Sequence, residues 1–324
     1  MEILDGYLPA SIQRAADLLT RGELVAFPTE TVYGLGADAL NSLAVAGIFE
    51  LKKRPHFDPL IIHIGEKEWL RRYARSVPPK AAELASRFWP GPLTLILEKN
   101  DLIPDIVTSG LPTVGIRMPA HPVALELIRR LDRPIAAPSA NPFGYMSPTR
   151  AAHVAAMFKD TPLLILDGGD SAFGIESSIV SFPSDSVRLH RHGALTAEDL
   201  TCAVGPLMEK KNDGSCESPG ELPYHYAPHK PLVIVESIGE AKNPRSSYLS
   251  FKELSRNPEV RHIRTLSPKG DLREAAANFF SFLIELDRED VDVIYAEKIP
   301  ESGLGRAMME RLHKASRKYL YITR

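Results

Sequence analysis

Cysteine is scarce in this chain. Only Cys202 and Cys216 occur, too few for the disulfide frameworks that hold small secreted domains together. Neither belongs to a CxxC or Cys/His cluster, so both read as incidental thiols. No apolar run is long enough to span a bilayer, and the opening MEILDGYLPASIQRAADLLTRGELVAF lacks the basic start of a targeting segment. A soluble, cytoplasmic protein with no membrane partner is expected. A surplus of charge is missing as well: 39 Lys and Arg stand against 41 Asp and Glu, for a net −2. That balance argues against broad coating of nucleic acid, while a local basic cavity stays open. Familiar catalytic signatures are absent too. There is no GxxxxGKS/T phosphate loop, no HExxH zinc helix and no GxSxG elbow. The ten histidines show no metal-ligand spacing, so no metal ligands are assigned.

What remains is ordinary globular material. Hydrophobic residues make up 44% and charged residues 25% of 324, which suits two cores better than one. Ile12, Ala15, Ala16 and Leu19 share one face of a helix expected over 9–21, which Gly22 can end. Short apolar runs at Leu24–Phe27, Leu60–Ile64, Leu93–Leu97, Thr113–Arg117, Pro134–Ala137, Leu163–Leu166 and Ser178–Phe182 read as buried strands. Helical stretches between several of them predict an α/β layer structure with a large mixed sheet. The composition then changes: 205–230 is rich in Gly, Pro, Ser and charge, as linkers are. Beyond it come a strand at Leu232–Val235, a helix over 271–288, a strand at Val291–Tyr295 and a helix opening at 303–316. The expected organisation is a first domain over 1–204, a linker over 205–230 and a smaller α/β domain over 231–324.

Five segments carry chemically useful side chains. Phe27–Gly36 (FPTETVYGLG) follows a buried strand with hydroxyls and glycines, and reads either as a tightly turning polar loop where α/β folds bind ligands or as a structural turn with solvated hydroxyls. Lys52 and Arg54 leave the end of a helix that Pro55 stops; a lysine point charge and an arginine fork suit a polyphosphate, although basic residues there also simply complement the helix dipole. Pro138–Asn141 (PSAN) follows another strand, and Ser147 with Pro148 reads as a helix cap that either serves only the helix or offers free N–H groups to an anion. Asp167–Gly169 and Phe173–Ser178 form a glycine-punctuated turn, either functional or a plain hairpin connection. Arg117 ends a strand, either solvated or facing a carboxylate ligand. Residue chemistry by itself stops at an α/β protein with polar, anion-suited loops.

Taken in order, FPTETVYGLG, the KxRP of 52–55, PLIIHI at 59–64, FWPGPLTLIL at 88–97, VGIRMPAHP at 114–122, APSAN at 137–141, SPT at 147–149, and DGG with FGIESSIV at 167–180 resemble the Sua5/YrdC family of threonylcarbamoyl-AMP synthases. SPGELPYHYAP in the linker and GLGRAMMERLHKAS near the end are similar to the longer, two-domain Sua5 type. The resemblance implies a YrdC-like twisted, mixed open sheet with flanking helices, plus a smaller Rossmann-like C-terminal domain. It implies L-threonylcarbamoyl-AMP synthesis from L-threonine, bicarbonate or CO2 and Mg²⁺-bound ATP, with pyrophosphate released. This would be the first step toward threonylcarbamoyladenosine at position 37 of tRNAs reading ANN codons. A separate threonylcarbamoyl transferase would consume the product, and weak double-stranded RNA or tRNA binding stays open.

Carried over position by position, the resemblance assigns Thr31, His63, Arg117, Ala137 and Ser177 to threonine. It assigns Lys52, Arg54, Asp58, Thr113, Ser139, Ser147, Arg191 and Tyr226 to ATP, with Lys52 and Arg54 neutralising charge at the reacting phosphate. Arg117 would pair with the threonine carboxylate, and Tyr226 of the linker would cover the cleft. Asp58 stands where the family commonly has asparagine; a carboxylate beside a triphosphate is unfavourable unless Mg²⁺ lies between them. An RNA-binding factor and a synthase using a different amine are the competing readings.

Overall fold

The computed structural model describes residues 1–209, 218–220, 222, 225–252 and 260–322. Short, largely buried strands build the larger of its two sheets. In chain order these are β1 (Glu2–Asp5), β2 (Val25–Phe27), β3 (Gly34–Asp38), β4 (Ile61–His63), β5 (Leu93–Glu98), β6 (Thr113–Arg117), β7 (Ile135–Ala136), β8 (Leu164–Asp167), β9 (Ser178–Ser181), β10 (Val187–Arg191) and β11 (Leu207–Glu209). They lie in the order β1-β8-β2-β3-β7-β4-β6-β5-β9-β10-β11, with parallel and antiparallel neighbours mixed. The central strands are buried on both faces, as Val25–Phe27 and Ile61–His63 show, because helices cover the sheet. Helices Pro9–Thr20 and Pro122–Leu131 pack on one another and on β2 and β8 through Leu19, Leu127, Ile128 and Leu166. A larger apolar cluster takes in helix Ser42–Lys52, helix Pro79–Phe88 and the strands β3 to β6.

The apolar runs expected as strands all carry one, most trimmed at an end. Val291–Tyr295 is instead displaced toward Val293–Glu297. Other strands escape that reading. Gly34 and Gly36, expected in a tight turn, belong to β3. A Cβ on Gly36 would lie 2.8 Å from Ile135 Cγ2 and from Phe27 Cε1, so glycine serves close strand packing there. β1 is an edge strand with alternate residues exposed, which leaves no continuous apolar run to read.

The second sheet holds β12 (Leu232–Val235), β13 (Ser246–Ser250), β14 (His262–Thr265) and β15 (Val293–Glu297), all parallel, in the order β12-β15-β13-β14. Its helices, Leu272–Arg288 and Leu304–Ile322, are amphipathic and longer than the helices of the first domain. Asp271 caps the first, accepting from Glu274 N at 2.7 Å. β11 extends the first sheet to Glu209, so that sheet runs into the segment read as linker. Cys202 is exposed, and Cys216 lies outside the described residues.

The two sheets meet through a shared apolar cluster. Ile175, Met146 and Val32 from the first domain and Tyr226 pack with Phe279, Phe280, Met308 and Leu312. Gly174 makes this approach feasible. Its φ is +71°, and a Cβ there would lie 2.2 Å from the Ala276 carbonyl oxygen, so any side chain would push the 173–177 loop off helix Leu272–Arg288.

Candidate active site

Strand ends supply the floor of one cleft, open to solvent on one side. β4 and β6 are parallel, and their register sets His63 beside Arg117. The loop after β2 is shaped by Thr29, whose Oγ1 donates to the Val32 carbonyl (2.6 Å) and accepts from Thr31 N and Val32 N (both 3.2 Å). That turn aims Thr31 and Glu30 inward. The PSAN loop lies against β3, with Ala140 N donating to Tyr33 O (2.8 Å) and Leu35 N to Pro138 O (2.9 Å). Thr31, His63, Arg117, Ala137 and Ser177, the set the resemblance gave to threonine, all line the cleft.

Arg117 is not waiting there unpaired. Its guanidinium bonds Glu30 at 2.7 Å with both side chains buried, and Glu30 also accepts from Ala120 N (3.0 Å). Nε of Arg117 is buried without a hydrogen-bond partner. Glu30 therefore fixes the fork, while Nε remains a buried donor. Burial, followed by the Arg117 charge, pushes His63 down to about 3, so its ring is neutral at physiological pH.

Of the ATP set, Arg54, Ser139, Arg191 and Tyr226 line the same cleft. Thr113 lies in a small adjoining hollow that shares Ile61 and Pro219 with it. Thr113 and Arg117 begin and end β6, roughly 13 Å apart at strand rise, so the two sets extend along the strands. Lys52, Asp58 and Ser147 are absent from the lining and stand behind it. Lys52 Nζ donates to the carbonyls of Ser139 (2.6 Å) and Asn141. Its pKa is lowered well below the usual lysine value, first by burial and then by Arg54. Asp58 answers the concern about an extra carboxylate: its Oδ1 pairs with Arg54 at 2.9 Å, both side chains buried.

Ser147 corrects the expected helix cap. The following helix starts at Ala151, with Arg150 flanking it and no side-chain cap. Ser147 Oγ instead donates to Glu176, while the Pro148 carbonyl accepts from Tyr33 N (2.8 Å). Nor is 167–178 a hairpin, because β8 and β9 sit in different parts of the sheet. That connection delivers Glu176 and Ser177 to the cleft.

Arg191 follows a register irregularity between β10 and β9. It donates from Nε to Ser177 O (3.0 Å), from Nη2 to Ser177 Oγ (3.2 Å) and from Nη1 to Pro219 O (3.3 Å). It thereby ties the floor to the segment above it. Tyr226 is buried in a left-handed backbone conformation, φ +62°, which a non-glycine residue holds only when its surroundings enforce it. Its ring packs on Phe280. Burial, with the Glu176 charge, raises its hydroxyl to about 12.

Sequence reasoning assigned no role to Glu30, Glu176 or Arg311. Arg311 of the last helix donates from Nε to Glu176 Oε2 at 2.7 Å. Its signal was present: it lies on the helical face of Met308, Leu312 and Ala315, all buried, where an unpaired charge would be costly. Among the described residues, no group of three or more His, Cys, Asp or Glu side chains could hold a metal ion, and no helix is long and apolar enough to cross a membrane.

Fold and cleft together define a two-domain α/β protein with a buried, arginine-lined cleft at its strand ends, to which Pro219, Gly220, His225 and Tyr226 from between the domains also contribute. The chain belongs to the Sua5/YciO/YrdC family. Residues 17–193 match that family's model, described as telomere recombination, and residues 195–317 match the Sua5 C-terminal model, described as threonylcarbamoyl-AMP synthase, C-terminal domain. It is 43% identical to the threonylcarbamoyl-AMP synthase of Pyrococcus abyssi over 94% of each chain. It is 42% identical to that of Bacillus subtilis over 94% of this chain and 92% of the relative. The crystal structure of P. abyssi Sua5 complexed with L-threonine superposes with a TM-score of 0.86 at 41% identity, covering 94% of each chain.

Proposed function

We propose that this protein synthesises L-threonylcarbamoyl-AMP from L-threonine, bicarbonate or CO2 and ATP, releasing pyrophosphate. The observation that carries this reading is convergence: the five residues assigned to threonine share one cleft with Arg54, Ser139, Arg191 and Tyr226 of the nucleotide set. The threonine amine attacks the carbon of CO2 or bicarbonate to give a carbamate, water leaving in the bicarbonate case. A carbamate oxygen then bonds to the α-phosphorus, and the bond to the bridging oxygen breaks to release pyrophosphate. No covalent enzyme intermediate is needed, so placement and charge neutralisation do most of the work.

Arg117, held by Glu30, takes the threonine carboxylate, and neutral His63 packs beside it. Arg54 and Arg191 meet the phosphates. Lys52 holds the PSAN loop at Ser139 and Asn141, which sets that loop's donors. Asp58 and Glu176 are both ion-paired to arginine, so Mg²⁺ is read as arriving with ATP as part of the substrate. Tyr226 covers the cleft, which matters because an acyl adenylate hydrolyses readily. The arginines are buried and suit a small anion better than an RNA backbone, which needs an exposed basic face. The reaction is read as cytoplasmic, with the adenylate passing to a separate transferase that acts on tRNA.

Purified protein given Mg²⁺-ATP should release pyrophosphate only when both L-threonine and bicarbonate are present, and the product should contain all three parts. Pyrophosphate release that ignores threonine would refute this reading.

A further inference from the structure

The cleft proposed for ATP contains a problem. Glu176 lines it and is an ionised carboxylate: burial alone would raise its pKa, but Arg311 and Arg191, with the hydrogen bonds from Ser147 and Arg311, hold it at about 2. A buried negative charge facing a triphosphate is repulsive, and low-dielectric surroundings strengthen that repulsion. Arg191 adds its charge near Glu176, but its hydrogen bonds go to Ser177 and Pro219 and none to that carboxylate. The cation bonded to Glu176 comes from the other domain. Arg311 is buried, donates from Nε to Glu176 Oε2 at 2.7 Å and from Nη1 to the His192 carbonyl at 3.0 Å, and has its guanidinium 5.2 Å from the Tyr226 ring centre.

We propose that Arg311, from the last helix of the second domain, is a positioning residue for the nucleotide side of the cleft: it neutralises Glu176 and keeps that carboxylate on Ser147, so that a polyphosphate can enter. Arg311 does not line the cleft; it acts through Glu176. The second domain is then required for ATP binding by a charge it contributes, besides any role in packing. The threonine side does not share this dependence, since Arg117 is neutralised by Glu30 within the first domain.

The inference rests on the cleft binding ATP, and the experiment separates the two. ATP and L-threonine affinities are measured by calorimetry for the full-length wild type, Arg311→Gln, Glu176→Gln and the double variant. Arg311→Gln should weaken ATP binding roughly tenfold or more by exposing the ligand to an unpaired carboxylate, while L-threonine affinity stays within about twofold. Adding Glu176→Gln should restore most of the lost ATP affinity, because the repelling charge is gone. The double variant replaces a buried ion pair by two amides, and such replacements are well tolerated, so the rescue stays measurable if Arg311→Gln alone proves poorly folded. Equal losses for ATP and L-threonine, or a double variant as weak for ATP as Arg311→Gln, would show mere domain packing and overturn the inference. A wild type that binds no ATP would overturn the reading of the cleft itself.

Discussion

The two walls of the cleft are built differently. The wall proposed for threonine rises within a single sheet: Thr31 follows β2, His63 ends β4, Arg117 ends β6, and the Arg117–Glu30 pair is complete in the first domain. The side proposed for ATP adds residues from three further places to Arg54 and Ser139 of the first domain. Arg191 comes from β10, Tyr226 from the segment between the domains, and Arg311 behind Glu176 from the last helix. Helix Leu304–Ile322 also holds the segment between the domains directly, with Lys314 Nζ on Gly220 O (2.7 Å) and Lys318 Nζ on Pro228 O (3.2 Å). Asp287 of helix Leu272–Arg288 accepts from His229 N (3.1 Å) and Lys230 N (3.0 Å). The Arg117–Glu30 pair proposed for threonine is thus complete within the first domain, while the side proposed for ATP depends on contacts with the second.

The largest effect should come from breaking the wall proposed for threonine. Arg117→Ala removes the proposed carboxylate ligand and strands Glu30 as a buried, uncompensated charge. Loss of one partner from a buried pair costs about 3–5 kcal/mol, so denaturant unfolding should show a loss of that order alongside near-complete loss of threonine use. ATP affinity should change far less. A variant that keeps its threonine KM, or loses ATP binding first, would reverse the assignment of the two walls.

That asymmetry also explains what the sequence displays and what it hides. Central strands such as Val25–Phe27 and Leu93–Glu98 are apolar runs because both faces are covered, so their composition reveals them. β13 reads SSYLS, and its serines are buried all the same; only tertiary packing makes it a strand, overriding composition. The side chains assigned to threonine by the order of short motifs do gather in one cleft. The ion-pair partners were not legible, because Glu30 meets Arg117 across 87 positions and Glu176 meets Arg311 across 135. No local period encodes such pairings. Ser147 failed for a related reason: a Ser-Pro pair is a valid cap signal locally, but the buried Glu176 carboxylate claims the hydroxyl.

An intermediate effect should appear with acid. Burial is the leading cause that pushes His63 and His225 down to about 3 and His153 to about 4, from 6.5. The folded protein keeps these rings neutral while the unfolded chain takes up protons below 6.5, so the unfolded state binds more protons in that window. Stability should therefore fall as pH drops from about 6.5 toward 3. His63→Gln and His225→Gln should each flatten the slope by up to one proton, about 1.4 kcal/mol per pH unit. The pair sharpens the comparison of walls. Should His225→Gln leave the slope intact while His63→Gln flattens it, the segment between the domains opens in acid before the sheet unfolds.

The smallest effect should come from Tyr226→Phe. The ring fills space against Phe280 and lies over Arg311, and phenylalanine keeps both contacts. The hydroxyl sits close to Gly220, where an added Cβ would come within 2.6 Å of it. If Tyr226 works by excluding water, the ring alone suffices. Tyr226→Phe should then give the same ratio of adenylate to pyrophosphate as the wild type, while Tyr226→Ala, which opens the cover, should release pyrophosphate with less adenylate recovered. Chromatography of the products over time reads both. A Phe variant as wasteful as Ala would move the function from the ring to the hydroxyl, making this wall a polar contributor to the chemistry as well as its lid.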